Sequence, residues 1–114
     1  MIRSYTDLVK SIPAYVINLD FRNDRWDQAK KEFEKIEWFV TKWKAVHYIE
    51  SPSSLSAGHA GCLESHRQIW RNVIQNGSKI AAIFEDDAVF PGNFRSIFPV
   101  VLSEVPDDWD VLHL

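Results

Sequence analysis

Three carboxylates stand side by side at Glu85, Asp86 and Asp87, directly after the apolar run Ile80-Ala81-Ala82-Ile83-Phe84. Adjacent carboxylates repel one another, and the repulsion grows as water is excluded. A divalent cation relieves it. Hard cations such as Mn²⁺ and Mg²⁺ prefer carboxylate oxygens and often hold substrate phosphates too. If strand geometry persists through the triplet, Glu85 and Asp87 project to one side and Asp86 to the other. A solvated acidic turn is the plainer alternative, because a short acidic run is a weak motif alone.

Two other groups could carry chemistry. Asn18 and Asp20 close a first apolar segment, with Arg22 and Arg25 just beyond. An arginine there can grip phosphate through its planar fork. Alternatively, Asp20 or Asn23 caps a helix and both arginines are solvated. His59, Cys62 and His66 are spaced i, i+3, i+7 and share a helix face if the helix starts early. That raises zinc. Against it, structural zinc usually takes four ligands, the chain has no second cysteine, and one helix offers awkward geometry.

These residues need elements to hold them. Residues 14–20 read as a buried strand, and Asn23 can cap a helix over about 24–36 with Trp26, Ala29, Phe33 and Ile36 at helical spacing. Residues 38–46 read as a second strand and residues 50–56, with Pro52 and four serines, as a loop. A second helix should start near Ser56 and stop at Asn76-Gly77, with Leu63, His66, Trp70, Val73 and Ile74 along one side. Residues 79–84 read as a third strand, whose apolar run from Ile80 is continuous rather than alternating, as expected for a strand covered on both faces. After Pro91-Gly92 comes a helical stripe of Phe94, Ile97, Phe98, Val101, Leu102 and Val105, which Pro99 should kink or split. Residues 109–114 read as a fourth strand. Alternation of this kind predicts an α/β sandwich with a mostly parallel sheet. Trp26, Trp70 and Trp109 are assigned to the core, while His47 and His113 suggest no role.

The chain has 114 residues, enough for one domain with a core, and residues 1–114 are taken as that domain. The net charge is −3, without the basic patch that nucleic acid binding requires. One cysteine, Cys62, cannot form an internal disulfide. No apolar run resembles a signal peptide or approaches a membrane span, so the simplest expectation is a soluble, cytoplasmic protein.

Three blocks, in order, resemble glycosyltransferase family 25, which includes bacterial lipooligosaccharide and procollagen galactosyltransferases. The first is Tyr15-Val16-Ile17-Asn18-Leu19-Asp20 with Arg22, Asp24, Arg25 and Trp26. The second runs over residues 55–66, through Gly58, Gly61, Cys62, Ser65 and His66, with Trp70 beyond. The third is Phe84-Glu85-Asp86-Asp87, and Trp109-Asp110-Val111-Leu112 fits a fourth more loosely. Position 59 holds His where the family usually has Glu.

The resemblance implies a GT-A (Rossmann-like) three-layer fold, here its N-terminal half, since family members continue well beyond such a fourth strand. It implies that Glu85 and Asp87 act as the family's Asp-x-Asp-like motif and hold Mn²⁺ (or Mg²⁺) against the diphosphate of a UDP-sugar. Asn18, Asp20, Arg22, Arg25, Ser65, His66 and Asp86 would bind the donor. The implied reaction transfers a hexose, galactose first of all, to a saccharide or protein hydroxyl with inversion, as in lipopolysaccharide biosynthesis. No catalytic base is assigned. A truncated, non-catalytic module that binds nucleotide sugar or metal, or acts as a scaffold, is the alternative. A receiver-like phosphoacceptor domain fits less well, because the first strand ends in a lone Asp20. An uncovered sheet edge or apolar face would favour a homo-oligomer.

Overall fold

The computed structural model describes residues 2–114. Its elements run α1 (Tyr5–Ser11), β1 (Ala14–Asn18), α2 (Asn23–Lys35), β2 (Val40–Lys44), α3 (Ala57–Gln75), β3 (Ala82–Glu85) and α4 (Phe94–Glu104). The three strands are all parallel, in the order β2-β1-β3. β1 lies in the middle and is buried at every position, as the apolar run Ala14–Ile17 requires, with the polar Asn18 buried at its end.

Alternate residues of β1 serve two cores. Ala14 and Val16 face a large cluster with Tyr5 and Leu8 of α1, Ala29 and Phe33 of α2, and Phe94 and Phe98 of α4. Tyr15 and Ile17 face a smaller cluster with Ile69 and Val73 of α3. The result is a three-layer α/β/α sandwich, Rossmann-like as expected. Trp38 joins the layers of the large core. It is 2% exposed, packs on Phe33, Phe84, Phe94 and Phe98, and donates its indole N–H to the Ile12 carbonyl at 3.1 Å.

Several expectations need correction. α1 was not anticipated; Ser4 caps it by accepting the Asp7 N–H. Residues 109–114 form no fourth strand, because they make no ladder with β3 and lie mostly exposed. β3 is only half-covered, since it is an edge strand with one neighbour. α2 starts at Asn23 itself, after Arg22, without a side-chain cap. α4 is a single helix that contains Pro99 rather than two pieces. Trp70 is 48% exposed and Trp109 only half-buried, so neither belongs to the core; Trp26 packs at its margin. Ser56 does cap α3, accepting the His59 N–H, and Gly77 takes the left-handed φ of 71° just past its end.

The buried stripe of α3 also differs from the expected one. Ala60, Gly61, Ser65 and Ile69 face inward, whereas Leu63, Trp70 and Ile74 face solvent. The reason is close approach: a Cβ at Gly61 would run into the Val46 carbonyl. Only small residues fit where α3 meets the end of β2.

Candidate functional site

The chain passes from β1 to β2 through α2 on one face, then crosses to β3 through α3 on the other. The strand order therefore reverses between β1 and β3, and such a reversal leaves a crevice at the carboxyl ends of the strands. Asn18 ends β1 and Glu85 ends β3 at that crevice.

Asn18 is 1% exposed, and its side-chain amide donates to Asp86 Oδ2 at 2.9 Å and to the Arg22 carbonyl at 3.2 Å. Both partners are acceptors, which fixes the amide nitrogen on that side and leaves Oδ1 without a donor among the described residues. Asp86 is itself buried and accepts from Arg25 through Oδ1 at 3.2 Å. Asn18, Arg25 and Asp86 thus form one network across β1, α2 and the turn after β3. The carboxylate triplet is divided by it: Asp86 points inward, while Glu85 and Asp87 are exposed.

Arg22 forks onto Asp24 at 2.9 and 3.0 Å. This pairing drives the Asp24 carboxyl down to about 2. Asp20 is exposed and faces Lys42 and Lys44 at 3.8 and 4.0 Å. Beside it lies a shallow cleft of about 320 Å³ lined by Leu19, Asp20, Phe21, Lys44, Ala45 and His47. Phe21 meets His47 edge-on at 5.3 Å between ring centres. Sequence reasoning passed over Phe21, Lys44 and His47. The signal was available in the parallel pairing of β1 with β2, which brings Lys44 opposite Asn18.

Ser65 is fully buried in the contact between α3 and β2. Its hydroxyl donates to the Gly61 carbonyl at 2.8 Å and accepts the Val46 N–H at 2.9 Å. His66, one residue on, instead meets Glu85. Cys62, His66 and Glu85 bring one ligand atom each to within 4.8 Å of one another, and the Cys62 thiol donates to Glu85 Oε1 at 3.3 Å. Burial, and then Glu85, push the Cys62 thiol above its ordinary value. His59 is exposed and takes no part. The turn beyond the triplet is tied to α2, because Glu32 Oε1 accepts the Phe90 N–H at 2.9 Å. That bond, and Lys35, hold the Glu32 carboxyl below its ordinary value.

As donors for a hard cation, the exposed oxygens of Glu85 and Asp87 are of the right type.

The sequence pattern of the family described as glycosyltransferase family 25 (LPS biosynthesis protein) matches residues 11–114. The chain belongs to glycosyltransferase family 25. Family 25 relatives among curated proteins include the human inactive glycosyltransferase 25 family member 3, 34% identical over 56% of this chain and 11% of that protein. Procollagen galactosyltransferase 1-A of Xenopus laevis is 32% identical over 53% of this chain and 10% of that protein. Procollagen galactosyltransferase 1-B of the same species is 23% identical over 97% of this chain and 23% of that protein. The chain therefore spans about a tenth to a quarter of the length of these curated relatives.

Proposed function

We propose that the chain forms the donor-binding part of a family 25 glycosyltransferase. The reaction is transfer of a hexose, galactose in the first instance, from a UDP-sugar to a saccharide or protein hydroxyl, with inversion. The observation that carries this reading is the network of Asn18, Asp86 and Arg25 across the reversal of strand order. Asn18 Oδ1, buried and without a donor among the described residues, suits an N–H or hydroxyl of the nucleoside. Arg25 is 45% exposed and uses one nitrogen on Asp86, so its fork keeps donors for a phosphate. Asp20, at the cleft beside Phe21 and His47, suits a ribose hydroxyl. Arg22 is paired with Asp24, and Lys42 and Lys44 flank Asp20. Ser65 acts indirectly, by fixing the helix that carries His66.

Glu85 and Asp87 would hold Mn²⁺ or Mg²⁺, which when bound offsets charge on the diphosphate leaving group. A donor-binding module without transfer is the second reading, favoured by the relatives named inactive. Calorimetry with UDP-galactose, with and without Mn²⁺, tests the proposal. We expect metal-dependent binding that disappears in Asp87→Ala. Absence of binding to any nucleotide sugar would leave the family fold without its chemistry.

A further inference from the structure

The Glu85 carboxylate faces sulfur and nitrogen, from Cys62 and His66. We infer that Cys62 Sγ, the His66 imidazole and the Glu85 carboxylate form a three-ligand site for a zinc-class divalent cation, with its fourth position open to solvent. Thiolate and imidazole select zinc and its neighbours over Mn²⁺ and Mg²⁺, which favour all-oxygen shells. Three protein ligands and one open position is the arrangement of zinc sites that bind water or substrate, not of closed structural sites.

The geometry is close to what such an ion needs. Zinc bonds of about 2.0–2.3 Å at tetrahedral angles separate ligand atoms by about 3.3–3.7 Å. The sulfur and Glu85 Oε1 are already 3.3 Å apart. The remaining separations are all within 4.8 Å, and binding would need side-chain rotation to close them. The ion would take the place of the thiol proton, which leaves to solvent as the sulfur–metal bond forms.

The backbone holds the three residues firmly. Cys62 and His66 stand one helical turn apart on α3, so both point to one side. That turn is fixed by the Ser65 bridge between Gly61 and Val46. Glu85 is the last residue of β3, paired in register with Ile17. The objections to zinc that the sequence raises, too few ligands and one helix, fall away once β3 supplies the third ligand from a second element. The inference does not depend on nucleotide-sugar binding, with which it shares Glu85 and His66.

The test is titration of the reduced, metal-free chain with Co²⁺ alone, followed by Zn²⁺. We expect an absorption band from thiolate-to-cobalt charge transfer, lost on addition of Zn²⁺. Cys62→Ser should abolish the band, and His66→Ala or Glu85→Gln should weaken cobalt binding by about tenfold or more. His59→Ala should change nothing. Circular dichroism shows which variants fold, and the parent titration decides alone if one does not. No band in the folded parent, or parental affinity in folded His66→Ala and Glu85→Gln, overturns the site. Calorimetry with UDP-galactose and Mn²⁺ reads the donor proposal separately, so either can fail while the other stands.

Discussion

Asn18 is where a single side chain decides most. Its amide is a neutral donor to the buried carboxylate of Asp86, which Arg25 also meets. Asn18→Asp would set two carboxylates against each other in a buried place and remove the donor. We expect a loss of about 2–4 kcal/mol, read as a lower urea midpoint. Tyr5 gives a second residue-scale outcome. Burial pushes its phenol up to about 12, against a smaller pull downward from Arg95. A folded pKa above the unfolded value of about 10 means that this contribution is complete below pH 10. It is lost as pH rises towards 12, so stability should fall across that window and Tyr5→Phe should flatten the decline. Ultraviolet difference titration of the tyrosinate would follow it. At this scale the sequence exposed the right residue types but not their partners. Asn18, Arg25 and Asp86 were all visible as polar residues near strand ends, yet their union depends on the lateral order of strands, which local spacing does not encode. Cys62 and His66 were visible as a pair for the same reason that Glu85 was not: i, i+4 spacing on a helix is local, and a strand end brought beside it is not.

Among the elements, α3 is the instructive one. Its bulkiest apolar side chains suggest the wrong inner face, since hydrophobicity favours Leu63, Trp70 and Ile74 while the backbone contact at Val46 admits only small residues. Glycine to alanine in a helix ordinarily stabilises. Gly58 follows that rule, because nothing stands within 4 Å of an added Cβ. Gly58→Ala should raise the thermal midpoint, by about 0.5–1 kcal/mol of stability. Gly61→Ala should lower it by about 1–3 kcal/mol, because the helix must retreat from Val46. Equal effects at the two positions would refute the close-packing account of α3. β1 and α2, by contrast, were legible in outline, although β1 ends at Asn18 rather than Asp20 and α2 starts at Asn23 without that residue's cap. Their periodicities carry a single solution, and Ala29, Phe33 and Ile36 are buried as the spacing requires.

For the whole molecule, alternation of strands and helices was enough to give the parallel α/β sandwich. It missed the last segment because the pattern of residues 109–114 suits an extended strand but cannot supply a partner. Both outer strands have one neighbour each, so each carries an unpaired edge. Trp70 and Ile74 add exposed apolar surface on α3. We expect the average mass in light scattering to rise with concentration; a monomer at every concentration would argue against these edges as contact surfaces. Among the described residues no helix is long and apolar enough to cross a membrane.

The bond from Glu32 to the Phe90 N–H has a consequence for motion. Phe90 lies in a connecting turn, where amide protons ordinarily trade with solvent quickly. Its amide should instead exchange slowly, at a rate set by how often α2 lets go. The Glu32 carboxyl is held below its ordinary value, so the tether is complete above that value and slips only as pH falls through the lowered one. In deuterated buffer the turn after the acidic triplet should therefore loosen on acidification before the central strand does, and Glu32→Ala, which removes the acceptor, should make it loose at every pH.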